Sequence, residues 1–141
     1  ISYFNMLEHV PDPRAQVETS FKLLAPGGVL VVEVPNAESL SGFSDLVFKD
    51  QVVRQLFPPH HIMVFSPKSL RYLVQACGFK PEATWFFGLD VYNLVLHLGM
   101  AVPSFLQSKF AELLLDLNNE LQTVIDKHEV SAQVMLLARK P

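Results

Sequence analysis

Apolar and polar positions follow two rhythms along this chain, and the switches between them mark its elements. Residues 1–4 form a short apolar run that reads as the end of a buried strand. Asp12 is placed to cap a helix, with Pro13 at the first helical position, where a missing N–H does no harm. Val17, Phe21 and Leu24 then recur at i, i+4 and i+7, so one stripe faces a sheet until Pro26-Gly27-Gly28 stops the helix. Residues 29–34 are nearly continuous apolar and β-branched, the pattern of a central parallel strand covered on both faces. Glu33 is the exception in that run, and Pro35-Asn36 ends it.

Residues 39–56 carry apolar side chains at 40, 43, 46, 47 and 53, which predicts an irregular helical stretch. Phe57-Pro58-Pro59-His60-His61 must be loop, because two prolines remove donors and restrict their neighbours. Ser66-Pro67 opens a helix whose buried stripe is Leu70, Leu73, Val74 and Cys77, and Gly78 ends it. Residues 80–87 predict a strand with Trp85 and two phenylalanines. Residues 88–103 are apolar but interrupted by Asp90, Asn93, His97 and Pro103. A membrane-spanning helix needs about 20 apolar residues with few charges, so no span is expected here. Residues 104–127 predict one amphipathic helix with Leu106, Phe110, Leu113, Leu114, Leu117, Leu121, Val124 and Ile125 on a face, and residues 131–139 predict the last strand. The order is β-α-β-(irregular α)-α-β-α-β, an α/β fold.

Composition narrows this. The 141 residues suit one domain with a real core, and half of them are hydrophobic against 18% charged, as in a folded chain. A net charge of −3 leaves no electrostatic footprint for nucleic acid. The single Cys77 cannot form an internal disulfide, which fits a reducing, cytoplasmic compartment. The six glycines (27, 28, 42, 78, 88, 99) make no G-x-G-x-x-G turn, and the one Gly pair precedes a strand rather than following it.

Three blocks carry a resemblance: NMLEHVPDP at 5–13, LLAPGGVLVVEVPN at 23–36, and FPPHHIMVFSPKSLRYLVQACGF at 57–79. In order and spacing they resemble the second half of class I S-adenosylmethionine-dependent methyltransferases, nearest to the ubiquinone-biosynthesis-like O-methyltransferase group. The resemblance implies the C-terminal half of a Rossmann-like methyltransferase fold. Its sheet would be mostly parallel, with an antiparallel last strand slotted between the two preceding ones. Residues 1–141 would be a single partial domain from the fourth strand onward, with a helical insertion at about 88–128. Most contacts to S-adenosylmethionine would then come from an N-terminal half, and an apolar first strand would present an unpaired edge. Self-association through that edge, or through the 88–127 region, is the expected consequence.

The turn after the first strand is where open α/β sheets place ligands. By resemblance, Phe4 and Asn5 at the strand tip, with Glu8 and His9 in the turn, would contact the cofactor, and Met6 would belong to the core. The resemblance also implies a carboxylate three residues before Glu8 in a metal-binding trio. Asn5 stands there and brings no charge, so no metal is expected. Two adjacent histidines, His60 and His61, without Cys, Asp or Glu at ligand spacing, give no zinc signal either. Asn36, His60 and His61 are the candidate acceptor-side residues. The plainer reading makes Asn36 a turn residue and His60 a loop hydrogen bond. His9 or His61 would act as base and Glu8 would orient it. Phe86, Phe87, Tyr92, His97 and Met100 form an apolar patch that is either a lid or part of the core or an oligomer interface.

The expected reaction is methyl transfer to O, N or C of a small molecule. The alternative is an interaction module that keeps the fold without binding cofactor. A dehydrogenase of the Tyr-x-x-x-Lys kind is excluded, because Tyr3, Tyr72 and Tyr92 are followed four residues later by Leu7, Ala76 and Leu96.

Overall fold

The computed structural model describes residues 1–51 and 59–141. Val53 of the predicted irregular helix, and Phe57 and Pro58 of the predicted loop, lie outside the described residues. The sheet is built on β2 (Val29–Pro35), which pairs in parallel with β1 (Ser2–Phe4) and antiparallel with the last strand. That strand, here β4 (Gln133–Arg139), also pairs antiparallel with β3 (Lys80–Phe87), giving the order β1-β2-β4-β3. The last strand is slotted between its predecessors as the resemblance implied. The expectation of a mostly parallel sheet is corrected. Inserting β4 in the middle turns two of the three pairings antiparallel and makes the sheet mixed.

The β2 run alternates instead of being sealed on both sides. Leu30, Val32 and Val34 are fully buried, while Val29, Val31 and Glu33 are half-buried. Val134, Leu136 and Ala138 of β4 share the covered face. Helices α1 (Pro13–Leu23) and α3 (Pro67–Ala76) supply Val17, Leu70, Val74 and Cys77 to the same core. Each fully buried Leu or Val contributes about 1.5–3 kcal/mol. Both helices start where their caps dictate. The Asp12 carboxylate accepts from the Ala15 amide at 2.9 Å, and Ser66 and Ser69 cap each other reciprocally. Among the described residues β1 has one neighbour, but at three residues it is a short edge and not the long apolar one expected.

The rest of the chain is helical. Helix α2 (Leu40–Val47) is capped by Ser39, and the interrupted apolar run nonetheless forms α4 (Asp90–Ala101). The single helix expected over 104–127 is broken. A 3₁₀ turn (Pro103–Gln107) precedes α5 (Lys109–Asp116), and Leu117 separates it from α6 (Asn118–Lys127). Ser108 interrupts by capping α5, its hydroxyl accepting from the Ala111 amide. No helix among the described residues is long and apolar enough to cross a membrane.

Asp90 ties these helices to the sheet. Its Oδ1 accepts from the Ser41 amide and hydroxyl at 3.0 and 2.7 Å. Its Oδ2 accepts from Gln122 Nε2 at 3.0 Å and the Ala132 amide at 2.9 Å. A carboxylate with four donors tolerates complete burial. It thereby fixes α2, α6 and the start of β4 around one point.

Candidate functional site

Parallel pairing of β1 and β2 brings both carboxyl ends to the same side of the sheet, in the register Tyr3↔Val32 and Phe4↔Glu33. The chain leaves β1 through Asn5, which adopts left-handed backbone at φ 47°. An asparagine tolerates this conformation because its amide can bond locally. Here the Asn5 Nδ2 donates to Glu33 Oε1 at 2.9 Å, and its backbone N–H donates to the Glu33 carbonyl at 3.0 Å. A short 3₁₀ turn, Leu7–His9, then places Glu8 inward and His9 at the surface.

Those residues line a cleft of about 510 Å³ with Pro35, His61, Phe87, Gly88, Leu89, Asn93, Ala132 and Gln133. Glu8 is 1% exposed, and neither carboxylate oxygen has a hydrogen-bond partner. Burial pushes its pKa above the ordinary value of 4.5, while its own amide and the His9 and His61 imidazoles oppose this in part. Gln133 Oε1 is another buried acceptor without a partner. Unsatisfied buried acceptors cost free energy, and their gathering on one cleft points to a ligand that carries donors or positive charge.

His9 Nδ1 lies 2.7 Å from the His60 carbonyl. A carbonyl only accepts, so Nδ1 carries the proton and the neutral ring keeps its lone pair on Nε2, 3.8 Å from Glu8 Oε1. The His61 ring stands edge-on to His9 at 4.9 Å between centroids. The Ile62 and Met63 amides both donate to the Glu8 carbonyl, at 3.0 and 3.1 Å, which straps the histidine loop to the turn. Glu8, His9 and His61 thus offer one oxygen and two nitrogens within 4.8 Å of one another, a set able to hold a divalent cation. No metal was expected from Asn5, Glu8 and His9. The geometry replaces Asn5, whose amide is engaged by Glu33, with His61.

The structure therefore gathers Asn5, Glu8, His9 and His61 and leaves the other predicted site residues outside the cleft lining. Phe4 is exposed beside it, and Met6 packs on the core. His60 is exposed and contributes its carbonyl. Asn36 is fully buried. Its Nδ2 donates to the Ser131 and Glu129 carbonyls at 3.0 and 3.3 Å, and its Oδ1 accepts from the Glu38 amide. The predicted apolar patch divides. Phe87 lines the cleft, Phe86 packs against the core, Tyr92 and Met100 are exposed, and His97 is buried with Asp45 at 3.8 Å. Sequence reading missed Leu89, Asn93 and Gln133. Asn93 and Gln133 carried the one signal, as polar residues in apolar runs, and Leu89 carried none.

Gly88 marks the tightest approach at the cleft rim. A Cβ there would lie 2.5 Å from Asp90 Oδ2 and 2.8 Å from the Ala132 Cβ. Only glycine lets the chain leave β3 and reach the Asp90 clamp in that space.

A family model described as a methyltransferase domain matches residues 1–84. A ubiquinone biosynthesis O-methyltransferase of Psychrobacter arcticus is 46% identical over 84 residues, 58% of this chain and 33% of that protein. Its namesake in Psychrobacter cryohalolentis is 46% identical over 56 residues, 40% of this chain and 22% of that protein. Among solved structures, a SAM-dependent methyltransferase from Archaeoglobus fulgidus superposes with a TM-score of 0.56 at 17% identity, over 99% of this chain and 58% of that one. The chain spans about a third or less of the length of these curated relatives.

Proposed function

Because the chain belongs to the methyltransferase-domain family, we propose that it forms the acceptor side and part of the cofactor pocket of an S-adenosylmethionine-dependent methyltransferase acting on a small molecule. The observation that carries this is the buried, unpartnered Glu8 beside His9 and His61, at the carboxyl tip of β1 in a ligand-sized cleft. The donor set fits the cofactor. Its sulfonium and ammonium groups are cationic, and Glu8 and Gln133 are acceptors lacking partners. When bound, it supplies a methyl group on positively charged sulfur. Asn5, Glu8 and His9 are the residues placed to hold its methionine end.

The chain's own residues have separable tasks. His9 Nε2, which keeps the lone pair while Nδ1–H donates to the His60 carbonyl, takes the proton from the acceptor as its oxygen is methylated. Glu8 orients that ring and stabilises the imidazolium that forms. His61 closes the opposite wall. Phe87 and Leu89 give the cleft apolar surface that keeps water from the reacting atoms. The relatives' name supports an oxygen acceptor, and a phenol suits a histidine base. Residues 88–128 read as a helical insertion between β3 and β4, within a single partial domain.

The test is transfer of radiolabelled methyl from S-adenosylmethionine to a panel of small phenols by the full-length protein. His9→Ala should lower kcat by about 10²–10⁴-fold. A loss under about tenfold would exclude His9 as the base.

A further inference from the structure

Helices α5 and α6 carry more apolar surface than the core can cover. Ala111 is buried, and Leu114, Leu121 and Ile125 are half-buried on the inward side. A second row, Phe110, Leu113, Leu117 and Val124, faces outward at 73, 52, 40 and 52% exposure. At about 100° per residue, this row lies roughly a quarter of a turn from the inward one. From Phe110 to Val124 the spacing is the 3.5-residue repeat with which one helix packs along another. The sequence expectation of one buried face over all eight apolar positions is corrected here, since five of the eight side chains are exposed.

We propose that this outward row docks a second copy of the chain, α5 against α5, antiparallel about a twofold axis. Such an axis sets Phe110 of each copy against Leu113 of the other. Lys109 and Asp116 then flank the seam at opposite ends of α5. Antiparallel pairing brings Lys109 of each copy beside Asp116 of the other, so two pairs of opposite charge frame the contact. The flank carries Lys109, Asp116, Glu120 and Lys127, two of each sign. It lacks the basic excess that anionic membrane surfaces select, which favours a protein partner over lipid. With an area of order 150–250 Å² for the phenylalanine and less for each aliphatic side chain, the four partly exposed residues present roughly 400 Å² per copy. A standard interface takes about 800 Å² per partner, so the rim must contribute and the dimer is expected in the micromolar range.

Sedimentation velocity of the protein from about 1 to 200 µM decides it, on a range set to bracket micromolar association. The wild type should shift from monomer to dimer, and Leu113→Glu should stay monomeric with an unchanged far-UV spectrum. If that variant misfolds, Phe110→Ser, at the most exposed position of the row, replaces it. Lys109→Asp should weaken association several-fold, and adding Asp116→Lys should restore it. A wild type monomeric throughout would overturn the proposal. So would a dimer indifferent to Leu113→Glu, as pairing through the β1 edge would give, or a charge swap that fails to rescue. Co-sedimentation of monomer with phosphatidylglycerol vesicles, abolished by Leu113→Glu, would assign the row to a membrane and overturn it equally.

Discussion

Replacing Glu8 by glutamine should stabilise the protein at neutral and alkaline pH and leave it nearly unchanged in acid. Both oxygens of Glu8 are buried without hydrogen-bond partners, and desolvation raises its pKa above 4.5. The folded state therefore holds the proton more tightly than the unfolded chain does. Below the unfolded value both states are protonated, and the carboxyl contributes its full stability. As pH rises through 4.5 the unfolded chain ionises first, and stability falls until pH passes the raised folded value. Glutamine cannot ionise and removes this loss. Glutamine leaves a neutral polar group in the same place, so the gain is the ionisation loss alone and grows as pH rises above 4.5. Each kcal/mol moves Tm by about 2–4 °C for a chain near this size. Thermal melts of wild type and Glu8→Gln, in chelator from pH 4 to 9, measure the difference. A variant less stable than wild type at high pH, or a gap that does not change with pH, would show that Glu8 has partners in solution and refute the reasoning.

Other expectations rest on single contacts. Asp90→Asn turns one accepting oxygen into a donor that faces donors, so urea titration should show a loss of about 2–4 kcal/mol. A loss under about 0.5 kcal/mol would mean that the four bonds do not hold the helices in place. Gly88→Ala forces a methyl against Asp90 and Ala132 and should cost about 1–3 kcal/mol, read as a lowered Tm. An unchanged Tm would show that the rim relaxes freely. Ser66→Ala breaks the reciprocal cap of α3 and should cost about 1 kcal/mol in the same titration. No change there would mean that solvent replaces the cap.

What could be read from the sequence was whatever local chemistry determines. Asp12-Pro13 and Ser66-Pro67 announce α1 and α3, because a cap and a fixed φ act within one turn. The β2 run and its stop at Pro35 are equally local. Glu8, His9 and His61 could be nominated because they sit at a strand tip and in a proline-bound loop, both marked by residue type, and the structure brings the three together. Contacts across the chain were not legible. Asp90 reads as an interruption until Ser41, Gln122 and Ala132 are seen to converge on it from 49, 32 and 42 residues away. Asn36 was a candidate for the acceptor site because nothing nearby shows that its amide bonds carbonyls 93 and 95 residues on. Periodicity placed apolar residues on one helix face over 104–127, but it does not say how much of that face the core is wide enough to cover.

The central claim is that the cleft at the tip of β1 is the methyl-transfer site. Its most direct test is amide NMR of the full-length protein titrated with S-adenosylhomocysteine. Shift changes should centre on Asn5, Glu8 and His9, extend to Gly88 and Ala132, and shrink in Glu8→Gln. Saturable changes centred elsewhere, or none at millimolar ligand, would contradict it.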